Sequence, residues 1–310
     1  MTFLQALVNG IAIAAVYSLL GLGFVIIFKS MNVLSFAQPA LMLWGAWWVI
    51  YFASLHKLNF YLAVLIAVVI AAISGVVIER VFLRPMVGKS VFAVAIMTIG
   101  IDLVVRTMSG NLYDVSVRST GDPWGFNTVN IGGTKDALGL VTGGIIINHR
   151  RLAAMVVAVV LVMALLAFFR YSRMGLAMRA AAVDQEVALI QGVSVGAVFS
   201  VSWAIAAVLA MFAGLFMSPD TGALTASMYP LALKALPVVV IGGLDSIGGT
   251  LVAALIVGIA EALTNTYQPG IDQLAWMGNN VAQVVPYFVM FIVLLIRPYG
   301  LFGTKEVERV

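Results

Sequence analysis

The sequence predicts an all-α, polytopic integral membrane protein with eight to ten transmembrane helices, some of them kinked or re-entrant. Composition is the first reason: 63% of the 310 residues are hydrophobic and 10% are charged, where a soluble domain is nearer half and a quarter. Mean hydropathy is +1.09. Seventeen Lys and Arg with thirteen Asp and Glu cannot cover a water-facing surface of this size. The second reason is that many apolar runs approach the roughly 20 residues that a bilayer core requires. The third is that these runs are continuously apolar, whereas barrel strands alternate over about ten residues.

The spans follow in order. Leu4 to Phe28 is the first; Met1 to Val8 carries no Lys or Arg, so it reads as a spanning helix and not a cleaved signal. Leu34 to Phe52 is apolar but holds Gln38 and Pro39, and reads as a kinked or re-entrant segment. Phe60 to Ile78 is the cleanest early run. Val91 to Met108 carries Asp102 and Arg106, four residues apart on one helix face, which predicts an intramembrane pair. Leu152 to Phe169 and Val198 to Met217 are uncharged. Tyr229 to Gly243 is interrupted by Lys234, which can snorkel from a helix end, and by Pro237. Gly248 to Thr264 has Glu261 near its end, a candidate cap, and Val284 to Ile296 closes the set. Between the seventh and eighth runs, Gly242, Gly243, Gly248 and Gly249 flank Asp245 and read as a tight turn with close helix contacts.

With nine crossings, one set of loops holds ten basic residues (Lys29, Arg80, Arg84, Lys89, Arg170, Arg173, Arg179, Arg297, Lys305, Arg309). The other holds five (Lys57, Arg118, Lys135, Arg150, Arg151). Cytoplasmic loops carry the basic excess, so the N-terminus is expected outside and the C-terminus in the cytoplasm, in the plasma or inner membrane. The net charge of +4 thus serves orientation against lipid; no nucleic-acid partner is expected. The chain reads as one transmembrane domain, 1–310, with two notable loops. Residues 111–151 form a polar extracytoplasmic loop whose alternating stretch Tyr113 to Arg118 fits a small hairpin, and an ordered cap without sheet equally. Residues 170–195, RYSRMGLAMRAAAVDQEVALIQGVSV, read as a short amphipathic cytoplasmic helix rich in small residues, ended by Gly192. It either docks a partner or rests on the membrane interface.

Enzymatic chemistry finds no support. There is no cysteine, and only His56 and His149, so no thiolate or His-rich metal site forms. No Walker sequence, dinucleotide fingerprint, HExxH or GxSxG elbow is present. No cofactor is expected. Asn32, Ser35, Phe36 and Gln38-Pro39 instead place neutral polar groups and freed carbonyls where a polar solute can pass, although a locally packed kink fits them as well.

Four stretches together resemble the LivH-type permeases of branched-chain amino acid ABC transporters, over nearly the full length. They are NGIAIAAVYSLLGLGFVIIFKSMNVLSFAQPALMLWGAW, the 170–195 loop, VVVIGGLDSIGGTLVAALIVGIAEAL and LLIRPYGLFG. The resemblance implies a non-enzymatic subunit. Such a subunit works beside a second permease, identical or similar, with cytoplasmic ABC ATPase subunits and an extracytoplasmic solute-binding protein. It implies ATPase-coupling roles for Gly175, Arg179, Ala180, Asp184, Ala188 and Gly192. It matches Asn32, Phe36 and Ala37 to the family's stretch after the first span, beside the candidate path residues Gln38 and Pro39. The family commonly has His-Gly where this chain has Gln38-Pro39, and the outer loop departs too. The implied solutes are leucine, isoleucine and valine, with urea or another small amide or polar solute as the alternative; an ATPase-independent channel or carrier and a membrane scaffold are the alternatives from other classes.

Overall fold

The computed structural model describes residues 2–113, 118–125, 127–132, 134–135, 141–142, 144–217, 223–224, 228–268 and 281–303. The first half of the chain supplies α1 (Thr2–Met31), α2 (Gln38–Ile50), α3 (Phe60–Ile78), α4 (Val91–Tyr113) and α5 (His149–Tyr171). The second half supplies α6 (Arg173–Val183), α7 (Gln185–Ile190), α8 (Val195–Phe216), α9 (Tyr229–Leu233), α10 (Ala235–Gly242), α11 (Ile247–Tyr267) and α12 (Val285–Ile296). Six helices are long and apolar enough to cross a membrane, and the α9–α10 stretch and α12 are shorter apolar pieces. With α2, prolonged by a π-helical turn over Tyr51–Leu55, the described residues hold nine apolar helical segments, within the expected eight to ten.

Position in the bundle follows from side-chain size. The first helix is apolar all round and buried along most of its length, packed against α11, α8, α5 and α10, as an all-round apolar helix should be. The third shows the opposite pattern. Its buried positions Ala63, Ala67, Ala71 and Gly75 recur every four residues and meet α8, while Leu62, Leu65, Val69 and Ile73 point outward. In lipid the apolar effect does not drive helices together, so small side chains that let backbones approach decide which face packs. A Cβ added at Gly75 would lie 2.4 Å from the Trp203 carbonyl oxygen. The same device joins α1 to α11 through Gly10 and Gly258, and α2 to α8 through Gly45 and Gly214. In the Gly-rich turn Gly242 faces Gly249, and Gly243, at φ +101°, packs on Gly303, so these three are close-contact architecture as expected; Gly248 is not, since an added Cβ there meets open space.

Two entries into the membrane are non-helical or broken. Residues 33–37 run from the end of α1 to a helix that starts late. Pro39 sits in the first turn of α2, where its missing N–H costs nothing; the kink expected from it is absent. The other break lies at Lys234, between α9 and α10. Lys234 does not snorkel and Glu261 caps no helix end. Both are buried and form an ion pair, and the Tyr17 hydroxyl donates to the other Glu261 oxygen at 2.7 Å. Three separate helices are thereby tied to the break.

At the ends of the bundle, polar residues hold the connections. Buried Glu79 accepts from Arg84 (3.1 and 3.2 Å) and from Ser200, and Arg84 also reaches the Gly196 carbonyl in the first turn of α8 at 2.9 Å. At the opposite end the expected 111–151 loop carries five short strands, which pair among themselves and with one distant partner. They are β1 (Arg118–Ser119), β2 (Thr128–Ile131), β3 (Thr134–Lys135), β4 (Val141–Thr142) and β5 (Ile145–Asn148), and the partner is β6 (Ala223–Leu224). They pair antiparallel as β1–β6, β2–β5 and β3–β4. The hairpin expected across Tyr113 to Arg118 falls largely outside the described residues. Buried Arg150 fastens this loop: it pairs with Asp122, donates to Thr120 at 2.9 Å and to the Leu215 carbonyl at 2.7 Å. Trp124 packs between Phe60 and Phe216, with ring centroids 5.3 and 5.6 Å away.

Gly75→Val is expected to destabilise the purified protein by about 1–3 kcal/mol or more, because the neighbouring backbone cannot yield. Gly100→Ala, inside α4 where an added Cβ meets open space, is expected to hold or slightly raise the thermal unfolding temperature in detergent, since alanine favours a helix interior over glycine.

Candidate functional site

The 170–195 segment is two helices and not the single one expected. Ser172 caps α6 by accepting from the Gly175 N–H at 2.8 Å. Asp184 then interrupts it, with its carboxylate accepting from the N–H groups of Glu186 (2.9 Å) and Val187 (3.0 Å) to start α7. An Asp before a short apolar run is an N-cap signal, so this break was readable. Gly192, at φ +82°, ends α7, and the Val193 N–H returns to the Ala188 carbonyl at 2.9 Å. Only glycine adopts that backbone without strain.

The six residues matched to the coupling loop divide by burial. Gly175 and Ala188 face the bundle; a Cβ at Gly175 would lie 2.4 Å from the Phe168 carbonyl oxygen. They hold the segment in place and are shielded from any partner. Arg179, Ala180, Asp184 and Gly192 are exposed. Near them lie exposed apolar side chains, Leu176, Val183, Val187 and Ile190, with Val183 89% and Ile190 83% exposed; the helical pattern puts Leu176 and Val183 on one face, but not Val187 and Ile190. The segment is anchored by Gln185, whose side chain donates to the Ser30 carbonyl at the end of α1 at 3.1 Å.

Beside it opens a crevice of about 900 Å³, lined by Lys29, Asn32, Arg179, Asp184, Asp245 and Tyr299 among others. This end of the bundle gathers Lys29, Arg84, Arg179 and Arg297, at or beyond helix termini that meet here. Arg150 and Arg151 lie at the other end; Arg151 reaches Asn9, and Gln5 exchanges two 2.8 Å hydrogen bonds with the backbone of Ile146. Among the described residues, Lys29, Arg84, Arg179 and Arg297 of one sequence set thus lie at one end, and Arg150 and Arg151 of the other set at the opposite end.

The five candidate path residues lead inward from the crevice. Asn32, at φ +54°, ends α1 with its N–H on the Phe28 carbonyl at 2.7 Å, a left-handed cap that Asn tolerates. The Phe36 N–H donates to Thr98 at 3.0 Å. Ala37 is buried and precedes α2. Gln38 is fully buried, donates to the Ala206 carbonyl halfway along α8 at 2.8 Å, and leaves its Oε1 without a hydrogen bond. Pro39 opens α2 beside it. These residues therefore start a helix at mid-bundle depth.

The Asp102–Arg106 ion pair expected from spacing does not form. Tyr229, the first residue of α9, stands between them: its hydroxyl donates to Asp102 Oδ2 at 2.7 Å, and the Arg106 guanidinium lies 4.6 Å from the centre of its ring. No group of three or more metal-ligating side chains occurs among the described residues. Lys234, Glu261 and Tyr229 were visible in the sequence as isolated polar residues in apolar runs, but nothing in spacing joined residues 27 and 127 positions apart.

Comparison with known proteins completes this description. Residues 6–294 match the family described as "Branched-chain amino acid transport system / permease component". The chain is 28% identical to the high-affinity branched-chain amino acid transport system permease protein LivH of Escherichia coli strain K12, covering 99% of this chain and 98% of that one. It is 26% identical to the permease protein BraD of Pseudomonas aeruginosa, with the same coverage. Among solved structures, PsaBC from Streptococcus pneumoniae in complex with Fab shares the fold at a TM-score of 0.50 and 14% identity, covering 96% of this chain and 93% of that one. A continuous bundle of apolar helices, matched almost end to end, leaves one conclusion: the chain is an integral membrane protein that belongs to the branched-chain amino acid transport permease family, a family of transport subunits and not of enzymes.

Proposed function

We propose that the chain is the membrane-spanning subunit of an ABC importer for branched-chain amino acids, driven by ATP hydrolysis in separate cytoplasmic subunits. A second permease, identical or similar, and an extracytoplasmic solute-binding protein complete the assembly. The observation that carries this reading is the α6–α7 pair. It is fixed to the bundle by buried Gly175 and Ala188 and by Gln185, yet turns Leu176, Val183, Val187 and Ile190 away from it. An apolar stripe on a firmly seated element outside the spans is a surface for a protein partner. Arg179, Ala180 and Asp184 flank the stripe and Gly192 sets the exit turn into α8, so force on α7 reaches a central helix directly. The basic residues gathered at this end support a cytoplasmic location for it, which would leave the N-terminus and the 111–151 loop outside. Asn32, Phe36, Ala37, Gln38 and Pro39 form the entry to the path from that side, and the 900 Å³ crevice is its cytoplasmic mouth.

Uptake of a solute panel by the reconstituted complex tests the reading. Leucine, isoleucine and valine should accumulate only with ATP and binding protein; uptake of urea with none of the three would replace the solute, and uptake without any ATPase would replace the mechanism. Ile190→Asp should leave membrane insertion intact and reduce ATP-driven uptake roughly tenfold or more, since truncating a central apolar anchor typically costs over 1–2 kcal/mol of association; unchanged coupling would remove α7 from the docking surface. The chain lacks cysteine, so topology is directly addressable. An impermeant maleimide should label Ile190→Cys only from the cytoplasmic face and Val129→Cys only from outside; the reverse pattern would invert the assignment.

A further inference from the structure

The polar cluster around Tyr229 carries an inference that rests on the amino-acid reading above and goes beyond it. Asp102 and Arg106 lie near the middle of α4, a 23-residue helix long enough to span the membrane. Opposite charges at that depth are costly, and a merely structural pair would neutralise itself by direct contact. These two do not. The Tyr229 ring holds them apart, engaging one carboxylate oxygen and lying against the guanidinium. Asp102 is 6% exposed, and its second oxygen, Oδ1, makes no hydrogen bond. Arg106 forms no ion pair among the described residues. One buried negative acceptor and one positive donor therefore remain, a helical turn apart, about 6 Å along the axis.

The start of α2 adjoins the same pair. The Ala40 N–H, in the first turn of α2, also faces the Asp102 carboxylate. The segment that leads into that turn carries a further buried atom without a hydrogen bond, Ser35 Oγ. On the other side α9 is five residues long and interrupted at Lys234.

We infer that Asp102 and Arg106 are a zwitterion-recognition pair in the translocation path: the Asp102 carboxylate receives the α-ammonium of the passing amino acid and the Arg106 guanidinium its α-carboxylate. The ammonium and carboxylate of an α-amino acid share one carbon, so a ligand between the two side chains meets both at once. A simple cation would use only Asp102, an anion only Arg106, and urea neither charge. Tyr229 keeps the pair from collapsing when no solute is present.

The test uses the assembled transporter in nanodiscs without binding protein. Binding of labelled leucine is competed by unlabelled leucine, by 4-methylpentanoate, which lacks the ammonium, and by 3-methylbutan-1-amine, which lacks the carboxylate. In the wild type leucine should compete about tenfold or more better than either analogue, as loss of one charged hydrogen bond implies. In Asp102→Asn leucine should fall to the level of 4-methylpentanoate, which itself is unchanged. In Arg106→Gln it should fall to the level of the amine. If Asp102→Asn does not assemble, Arg106→Gln decides alone. All ligands weakening together in both variants, as from a structural role, would overturn the inference, as would unchanged selectivity or no leucine binding by a complex that takes leucine up. A wild-type complex that carries another solute and no amino acid overturns the parent reading, and this pair with it.

Discussion

The contact between Lys234, Glu261 and Tyr17 governs the architecture. A break in a helix inside lipid frees backbone groups that have no water to turn to, and a lysine at the break adds a charge with the same problem. The chain answers the charge with one acidic side chain from α11 and one hydroxyl from α1, while the Lys234 N–H finds the Leu231 carbonyl at 3.3 Å. The break therefore stays where three elements meet, and α9 can point toward α4 while α10 continues to the basic end. Without that pairing there is no reason for the short α9 to sit at mid-depth, or for Tyr229 to stand between Asp102 and Arg106.

Around it, close backbone approach does the packing. Gly10 against Gly258, Gly75 against Trp203 and Gly214 against Met42 bring α1, α3 and α2 onto α8 and α11, leaving the larger side chains of α3, α4 and α5 to face lipid or another subunit. The result is a bundle with a firm centre and different polar fastenings at its ends. At one end Arg150 and Trp124 hold a sheet-bearing loop over α8; at the other Glu79 and Arg84 hold the start of the same helix. The central helix α8 is thus linked to the outer loop at one terminus and to the α6–α7 pair at the other, which suits a part that relays motion.

Much of this was legible in the sequence. The long apolar runs named α1, α3, α4, α5, α8 and α11 to within a few residues, because length and continuity alone identify a span. The four-residue recurrence of Ala63, Ala67, Ala71 and Gly75 was also there to be seen, and the glycines around Asp245 were read as close contacts. What failed were readings that needed a third residue. Spacing put Asp102 and Arg106 on one face, yet could not reveal that Tyr229 would enter between them. Lys234 and Glu261 each had a plausible solitary fate at a helix end, and their pairing depends on how α10 packs on α11. Pro39 was read as a kink because the start of α2 was placed four residues early. Among the site residues and their neighbours, helical spacing already put Ala181 and Ala188, both buried, on one face, while Leu189, placed with them, is exposed because the break at Asp184 turns α7 away from a single helical register.

The most direct measurement is a double-mutant cycle on the buried pair, read as thermal unfolding of the protein in nanodiscs. Lys234→Met and Glu261→Met alone should each destabilise by about 3–5 kcal/mol, since each leaves one buried charge unmatched, while the double variant recovers most of the loss. Single variants as stable as the wild type, or losses that simply add in the double variant, would contradict the claim that this pair holds the break in place.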